Sequence, residues 1–238
     1  MTSAGAGGPK YIGQRLNVCY PDVREAVARR EGEMIAALAR RQAAAGACAL
    51  DLCCAGRPDE AGALAWMAET VQRAVDVPLC LDSAAADVLT AAARICIRPP
   101  IINAVSIDHV RAGAAPDIGR LPALMWIVSA FDPAGAAQSP EARLKTASAV
   151  ADALSGVPQA RMILDPLFLP SGAYPHAWED TCAAAALLRR RFPEAGTLCA
   201  AGNVSFGARG RAKVDRRTIH RAIGNGFDWL LCDVTSIL

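Results

Sequence analysis

The chain has 238 residues, of which 53% are hydrophobic and 5% aromatic, and its 25 basic and 23 acidic residues leave a net charge of +2. This length suits one α/β domain, and near-neutrality gives no reason to expect nucleic acid or a membrane as the main partner. No apolar run reaches the ~20 residues that span a bilayer, and the start of the chain does not resemble a signal peptide. We therefore expect a cytoplasmic protein with a flexible tail over residues 1–10 and a single domain over residues 11–238.

Short apolar runs alternate with long amphipathic segments, which is the pattern of strands followed by helices. Strands are predicted over Tyr11–Val18, Cys48–Cys53, Pro78–Asp82, Pro100–Val105, Leu124–Phe131, Met162–Leu164, Leu198–Gly202 and Trp229–Val234. Helices are predicted over Asp22–Gly46, Pro58–Val75, Ala85–Cys96, Asp108–Arg120, Ser139–Leu154, Pro175–Phe192 and Asp215–Ile223. The glycines and the proline within Asp108–Arg120 should break or shorten that helix.

Eight strands alternating with seven helices predict an α/β fold, a (β/α)8 TIM barrel with the eighth helix missing. The strands are almost continuously apolar, as in a parallel sheet that is covered on both faces. An open doubly wound sheet is the alternative, but no Gly-x-Gly-x-x-Gly follows the first strand. A last strand without its helix would expose apolar surface between the first and seventh helices, so we predict that a second copy covers it in a homodimer.

The nine cysteines lie mostly in apolar runs, without a Cys-x-x-Cys pair, and are interpreted as reduced thiols packed as small hydrophobic groups. The pair Cys53-Cys54 is a weak candidate for metal ligands, because no histidine lies near it. A metallohydrolase barrel needs a histidine cluster, whereas the three histidines fall in predicted helical segments. We therefore expect that this chain binds no metal.

Polar side chains lie at or near the ends of the predicted strands, and in a barrel these ends meet at one face. They are Arg15, Asn17, Asp51, Asp82, Asn103, Asp132, Asp165, Asn203 and Asp233. A single such aspartate is most simply a cap for the next helix. A whole set is harder to explain that way, because each buried polar group without a partner costs roughly 2–7 kcal/mol. A flat heterocycle with several ring N–H and C=O groups would supply partners for the set.

Residues 198–211 combine an amide at a strand end, Asn203, with a glycine-punctuated loop that carries two arginines. An amide beside a basic loop suits a polar heterocycle with an acidic tail. One alternative is that Asn203 caps the following helix. Another is that Gly207 and Gly210 frame the phosphate site of an unrelated barrel enzyme acting on a phosphorylated sugar. The scarcity of aromatic residues argues against a glycosidase.

Six segments in chain order carry a more specific resemblance. They are Ile-Gly-Gln-Arg-Leu-Asn (12–17), the run from Arg-Gln to Leu-Asp-Leu (41–52), Leu-Asp-Ser (81–83), Ile-Asn-Ala-Val-Ser (102–106), Leu-Asp-Pro-Leu (164–167) and Gly-Asn-Val-Ser-Phe-Gly (202–207). Together they resemble the pterin-binding methyltransferase family, TIM barrels that take methyltetrahydrofolate and pass its methyl group to a corrinoid protein. That family includes the folate module of cobalamin-dependent methionine synthase and is related to dihydropteroate synthase.

The resemblance implies a pterin-binding set made of Asn17, Asp51, Asp82, Asn103, Asp165, Asn203 and Arg211. In the family's pattern, Asp82, Asn103 and Asp165 would hydrogen-bond the pterin edge. Asn203 would contact N5, Arg211 would lie near the pterin or its tail, and the catalytic residues would be Asn203 and Asp165. The resemblance also implies methyltetrahydrofolate or a related tetrahydropterin as substrate, and a corrinoid (cobalamin) carried by a partner protein.

Two positions depart from the family's pattern. Gln14 stands where a glutamate is common, and Cys53 stands where an asparagine is usual. These changes leave open a methanopterin-type substrate or a pterin-binding subunit without catalysis. Dihydropteroate synthase itself fits less well, because its Asn-x-Thr-x-Asp-Ser-Phe, Ser-Thr-Arg-Pro and late Ser-Arg-Lys segments are absent from the sequence.

Overall fold

The computed structural model describes residues 8–133, 139–174 and 176–237. Eight parallel strands pair in sequential order and close into a barrel, with β8 beside β1. The strands are β1 (Lys10–Asn17), β2 (Ala49–Cys53), β3 (Leu79–Asp82), β4 (Ile101–Val105), β5 (Met125–Ser129), β6 (Met162–Asp165), β7 (Gly196–Ala200) and β8 (Trp229–Cys232). The predicted TIM barrel is confirmed.

Helices lie between the strands and cover the outside of the barrel. They are α1 (Pro21–Arg29), α2 (Gly32–Ala44), α3 (Glu60–Ala74), α4 (Ala86–Ile95), α5 (Ile107–Arg111), α6 (Ala115–Gly119), α7 (Pro140–Ala153), α8 (Ala177–Arg191), α9 (Ala201–Val204) and α10 (Arg211–Gly224). Among the described residues, β8 is followed only by a 3-10 turn, Val234–Ser236. No helix in the described ranges combines the length and the hydrophobicity needed to cross a bilayer.

Two apolar clusters build the core because side chains alternate between the two faces of each strand. One cluster fills the barrel interior with Ile12, Ala49, Cys80, Ile101, Ile127, Ile163, Leu198, Ala200, Trp229 and Leu231. The larger cluster joins the outer strand faces to the helices. Positions two residues beyond an interior residue point the same way, nearer the carboxyl-terminal end of the barrel. We call that end the mouth, and it is where a barrel binds substrates.

The single helix predicted over residues 22–46 is wrong, because the structure forms two helices, α1 and α2. Arg30 ends α1 in the left-handed region, with φ 56°, and its N–H bonds back to the carbonyls of Ala26 and Val27. Gly32, which disfavours a helix interior, then begins α2. The hydrophobic spacing is helical on both sides of the break and therefore did not reveal it.

Two local predictions are confirmed. The weak helix over residues 108–120 is divided into α5 and α6, and Gly113 lies between them with φ +72°. Ser139 caps α7 by accepting the N–H of Ala142 at 3.2 Å, with Pro140 in the first turn.

The apolar surface expected beside the last strand is not found on β8 itself. Its outward-facing residues, Leu230 and Cys232, are 0% and 2% exposed, since they pack in the core with α10 residues such as Ile219. The homodimer therefore stays a prediction without that support. Of the predicted tail over residues 1–10, residues 1–7 lie outside the described part, and Lys10 already pairs with Trp229 in the sheet.

Candidate functional site

A row of polar residues crosses the mouth over strands β1 to β4. The strand registers place Asn17 beside Cys53, Cys53 beside Asp82, and Asp82 beside Asn103. Asn17, Cys53 and Asp82 are the last residues of their strands, whereas Asn103 lies within β4. The row brings together three of the predicted site residues.

Asp51 lies one layer deeper, which corrects its predicted place at a strand end. It sits inside β2, beside Cys80, and its side chain is completely buried. Asn103 Nδ2 donates to Asp51 Oδ1 at 2.9 Å, and the Cys80 thiol also hydrogen-bonds the carboxyl group. The second oxygen of Asp51 is buried and has no hydrogen-bond partner among the described residues. The site therefore holds a carboxyl oxygen without a partner at the base of the mouth.

The pKa values of the two acids in this cluster, Asp51 and Asp82, are both raised. Burial and the charge of Asp82 raise the pKa of Asp51 to about 8. Burial raises the pKa of Asp82 to about 6, while its hydrogen bond with Cys53 opposes the rise. Two close carboxyl groups share protons as a pair, so near pH 7 the pair holds one proton, on Asp51. Perturbed carboxyl groups of this kind are typical of binding and catalytic sites.

Asp165 faces the mouth from the opposite side of the barrel. It ends β6, beside Ser129 of β5 and two residues beyond the interior residue Ile163. Its Oδ1 accepts the N–H of Leu167 at 3.0 Å. Burial raises the pKa of Asp165 to about 6, while the Leu167 N–H and the charge of Arg143 oppose the rise. No hydrogen bond between described residues joins Asp165 to the Asp51–Asn103 pair, so a ligand spanning the mouth would be needed to link them.

Asn203 does not end a strand, which corrects the prediction for β7. The strand stops at Ala200, and Asn203 lies on the single turn α9, where Ser205 Oγ bonds the Gly202 carbonyl at 3.3 Å. The side chain of Asn203 is exposed and caps neither α9 nor α10, whose N-caps are Ala200 and Gly210. The capping alternative is therefore excluded, and the amide is free to meet a ligand.

Arg211 begins α10 and holds α9 in place. Its Nε donates to Ser205 Oγ and its Nη2 to the Gly202 carbonyl, both at 3.2 Å. Its charge also acts on the Cys19 thiol of the β1–α1 loop, so it lies at the same rim as the start of the chain. Gln14 packs behind this turn, since a Cβ on Gly202 would stand 2.8 Å from Gln14 Oε1. The described contacts of Arg211 position the turn that carries Asn203.

Three other predicted members of the polar set have partners elsewhere. Asp132 lies beyond the end of β5 and pairs with Arg111 at 2.8 Å, so its predicted place at that strand end is wrong. Arg15 pairs with Asp22 of α1. Asp233 caps the final 3-10 turn by accepting the N–H of Thr235.

A glutamine outside the predicted polar set links helix α2 to the turn that follows β8. Gln42 of α2 is completely buried, donates to Asp233 Oδ1 at 2.6 Å and accepts the N–H of Val234 at 3.1 Å. Its Oε1 also packs against Gly13, where a Cβ would stand 2.8 Å away. An amide at a core position was the available signal, because a buried polar side chain needs partners.

Within the described ranges, no group of three histidine, cysteine or acidic side chains is arranged to hold a metal ion. A closed barrel with acids and amides at its mouth is an enzyme architecture. A family model described as "Pterin binding enzyme" matches residues 13–230. The chain belongs to the family of pterin-binding enzymes, and the resemblance seen in the sequence is confirmed.

The chain is 26% identical over 230 residues to the methylcorrinoid:tetrahydrofolate methyltransferase of Eubacterium limosum, a match that covers 94% of this chain and 85% of the relative. It is similar in structure to dihydropteroate synthase from Xanthomonas albilineans with 4-aminobenzoic acid, with TM-score 0.70, 19% identity and coverage of 99% and 91% of the two chains. Dihydropteroate synthase from Yersinia pestis with a pterine-sulfa conjugate gives TM-score 0.67, 18% identity and coverage of 97% and 90%. At these identities the two structures establish a shared fold, while the methyltransferase relative supports a transferase.

Proposed function

We propose that this chain transfers a methyl group between N5 of methyltetrahydrofolate, or a related tetrahydropterin, and the cobalt of a corrinoid on a partner protein. The observation that carries the proposal is the buried acid–amide cluster at the mouth, in a chain of the pterin-binding family. The relative named for this transfer supports the choice of reaction. The corrinoid supplies the cobalt centre that exchanges the methyl group. The residues of this chain bind the pterin and stabilise the charge that develops at N5.

The cluster offers what the edge of a pterin requires. A pterin edge carries a 2-amino group and ring N–H donors as well as ring nitrogen and C=O acceptors. The carboxylate of Asp82 accepts from the donors, and the unpartnered oxygen of Asp51, which carries the proton of the pair near pH 7, donates to an acceptor. Asn103 keeps its own carbonyl oxygen free, because its amide nitrogen is the group bonded to Asp51. Burying these groups costs free energy that a matching ligand recovers through hydrogen bonds.

Asp165, Asn17 and Arg211 complete the proposed pterin set. Asp165 has a second carboxyl oxygen available on the far side of the mouth, since its Oδ1 is the oxygen held by Leu167. Asn17 keeps a side-chain amide nitrogen available at the rim, because its Oδ1 accepts the N–H of Cys19. Arg211 acts through the turn that it holds. These groups would enclose the flat ring between β1 and β6.

Charge at N5 decides the rate, because a tertiary amine is a poor leaving group. N5 gains a proton, or a strong hydrogen bond, as the methyl group departs. The exposed amide of Asn203 lies on a turn anchored by Arg211 and would meet this developing charge more strongly in the transition state than in the ground state. An amide is not an acid at neutral pH, so the proton comes through water near Asp82 or Asp165. Both acids titrate near pH 6, within reach of a proton relay.

The experiment is to follow the cobalt spectrum of reduced cobalamin with methyltetrahydrofolate, and of methylcobalamin with tetrahydrofolate. Asn203→Ala should lower the rate about 100- to 1,000-fold, as removal of a single transition-state donor does elsewhere. Its thermal unfolding should match that of the wild type, because the side chain is exposed. A matched control is Asn225→Ala, at an exposed asparagine that ends α10. A wild-type rate in the Asn203 variant would contradict the assigned role.

Two alternatives give different results in the same assay. A pterin-binding subunit without catalysis would bind the reduced folate calorimetrically and leave the cobalt spectrum unchanged. A dihydropteroate-synthase-like enzyme would instead incorporate labelled 4-aminobenzoic acid into dihydropteroate. The shared fold keeps that second alternative open.

A further inference from the structure

A completely buried arginine lies beneath the mouth, on helix α7. Arg143 is 0% exposed and is among the largest fully buried side chains of the described residues. No carboxylate within the described ranges lies within ion-pair distance of it; Asp180 and Asp165 act on its charge only from farther away. Burying an unpaired charge is costly, and an apolar side chain would fill the same space without that cost. The hydrogen bonds of the guanidinium group therefore indicate its role.

Those hydrogen bonds converge on the backbone that follows β6. Arg143 Nη1 donates to the Leu167 carbonyl at 3.1 Å and to the Pro166 carbonyl at 3.3 Å. It also donates to Thr181 Oγ1 at 2.9 Å, and the Thr181 hydroxyl donates in turn to the Leu167 carbonyl at 2.8 Å. Two side chains from neighbouring helices, α7 and α8, thus hold one carbonyl group.

Leu167 needs such support because of its backbone conformation. Its φ is +68°, in the left-handed region that a leucine rarely adopts. In this conformation its N–H points back to Asp165 Oδ1, at 3.0 Å. Leu167 therefore connects the arginine to the acid: its carbonyl is held from below, and its N–H holds the carboxylate at the mouth.

We infer that Arg143 is a positioning residue for Asp165: by fixing Leu167, it holds the Asp165 carboxylate in the orientation that pterin recognition requires. This inference rests on the proposed function for the identity of the ligand. The link from Arg143 to Asp165 is independent of it.

The charges around Asp165 determine in which direction its pKa changes when Arg143 is removed. Arg143 faces Asp165 from α7, the Cys199 thiol faces it from β7, and Asp180 of α8 faces the arginine. Both the positive charge and the Leu167 N–H lower the pKa of Asp165, against the burial that raises it. Removing the arginine therefore leaves the acid protonated at a higher pH, where a protonated carboxyl group accepts fewer donors from the ligand.

The test compares Arg143→Met, which keeps the length without the charge, with Arg143→Lys and Thr181→Val. Carbon-13 NMR of the carboxyl groups, with Asp165→Asn to assign the signal, reports the pKa of Asp165 directly. In Arg143→Met this pKa should rise by about one unit, the size expected for loss of a nearby opposite charge. Reduced-folate affinity measured against pH should shift with it, falling about fivefold near pH 6, because a rise of one unit lowers the ionised fraction of Asp165 there from about one half to about one tenth. Thr181→Val should shift the titration in the same direction by less.

A purely structural role predicts a lower melting temperature with an unchanged Asp165 titration, and that result in folded Arg143→Met would overturn the inference. If Arg143→Met does not fold, unchanged titrations in both Arg143→Lys and Thr181→Val would overturn it as well. A wild-type protein that binds no reduced folate would count against the proposed function. The carboxyl titration would still decide the role of the arginine.

Discussion

Replacing Asp51 by asparagine should stabilise the fold, and the gain should grow with pH. The pKa of Asp51 in the folded protein is about 8, whereas an exposed aspartate titrates near 3.9. The unfolded chain therefore releases this proton first, so the acid costs the folded state about 1.4 kcal/mol for each pH unit above roughly 4, up to about 8. Between pH 5 and pH 7 this amounts to about 2–3 kcal/mol, which the amide does not lose because it does not titrate.

The contacts allow the same result. The asparagine oxygen still accepts from Asn103, and its nitrogen takes the place of the oxygen that lacks a partner. Urea unfolding of wild type and Asp51→Asn at pH 5, 6, 7 and 8 gives the free energy of unfolding of each. An asparagine at Asp152, an exposed acid of α7, serves as control and should leave the pH dependence nearly unchanged. Parallel pH profiles for wild type and Asp51→Asn would refute the assignment of a buried, protonated acid.

Two further predictions concern the turn that carries Asn203. Gly202→Ala places a methyl group 2.8 Å from Gln14 Oε1, the end of a flexible side chain that can move aside, so the fold should lose no more than about 1 kcal/mol while the displaced glutamine alters the turn and slows methyl transfer. Gly62→Ala, where a Cβ meets nothing within 4 Å, is the control, and equal methyl-transfer rates in the two variants would contradict the packing argument. Arg211→Ala removes two donors to the turn, so backbone amides of α9 should exchange with deuterium at least several-fold faster and methyl transfer should fall. Unchanged exchange would show that the turn does not depend on this arginine.

The sequence predicted much of the geometry of the candidate site, because side chains inside a barrel alternate with a period of two. Asp51 and Asn103 each stand two residues beyond an interior apolar residue, so their inward direction follows from the strand assignment. Their closeness requires the curvature of the closed barrel as well, because β3 lies between β2 and β4. The predicted place of Asp132 at the end of β5 is wrong, because β5 ends at Ser129 and Asp132 pairs with Arg111. Strand ends are the part of a strand that local pattern defines least.

Asn203 shows a second limit of the same kind. The apolar run before it predicted a longer strand, but the chain turns at Ala201 and forms α9. The turn is held by Arg211, at the start of the next helix, and packs against Gln14 of the first strand. Neither contact can be read from the residues of the turn itself. A hydrophobic run reports burial, which a strand and a short buried turn share.

The sequence by itself determined the alternation of strands and helices, the inward faces and the family, because these are properties of local periodicity and of short segments in order. Tertiary structure alone decided which polar groups become partners. Closure of the barrel brings Gln42 to Asp233, and packing of α7 against α8 brings Arg143 to the carbonyl group of Leu167. A buried polar group is satisfied by whatever the fold places within about 3 Å of it, and no local pattern encodes that neighbour.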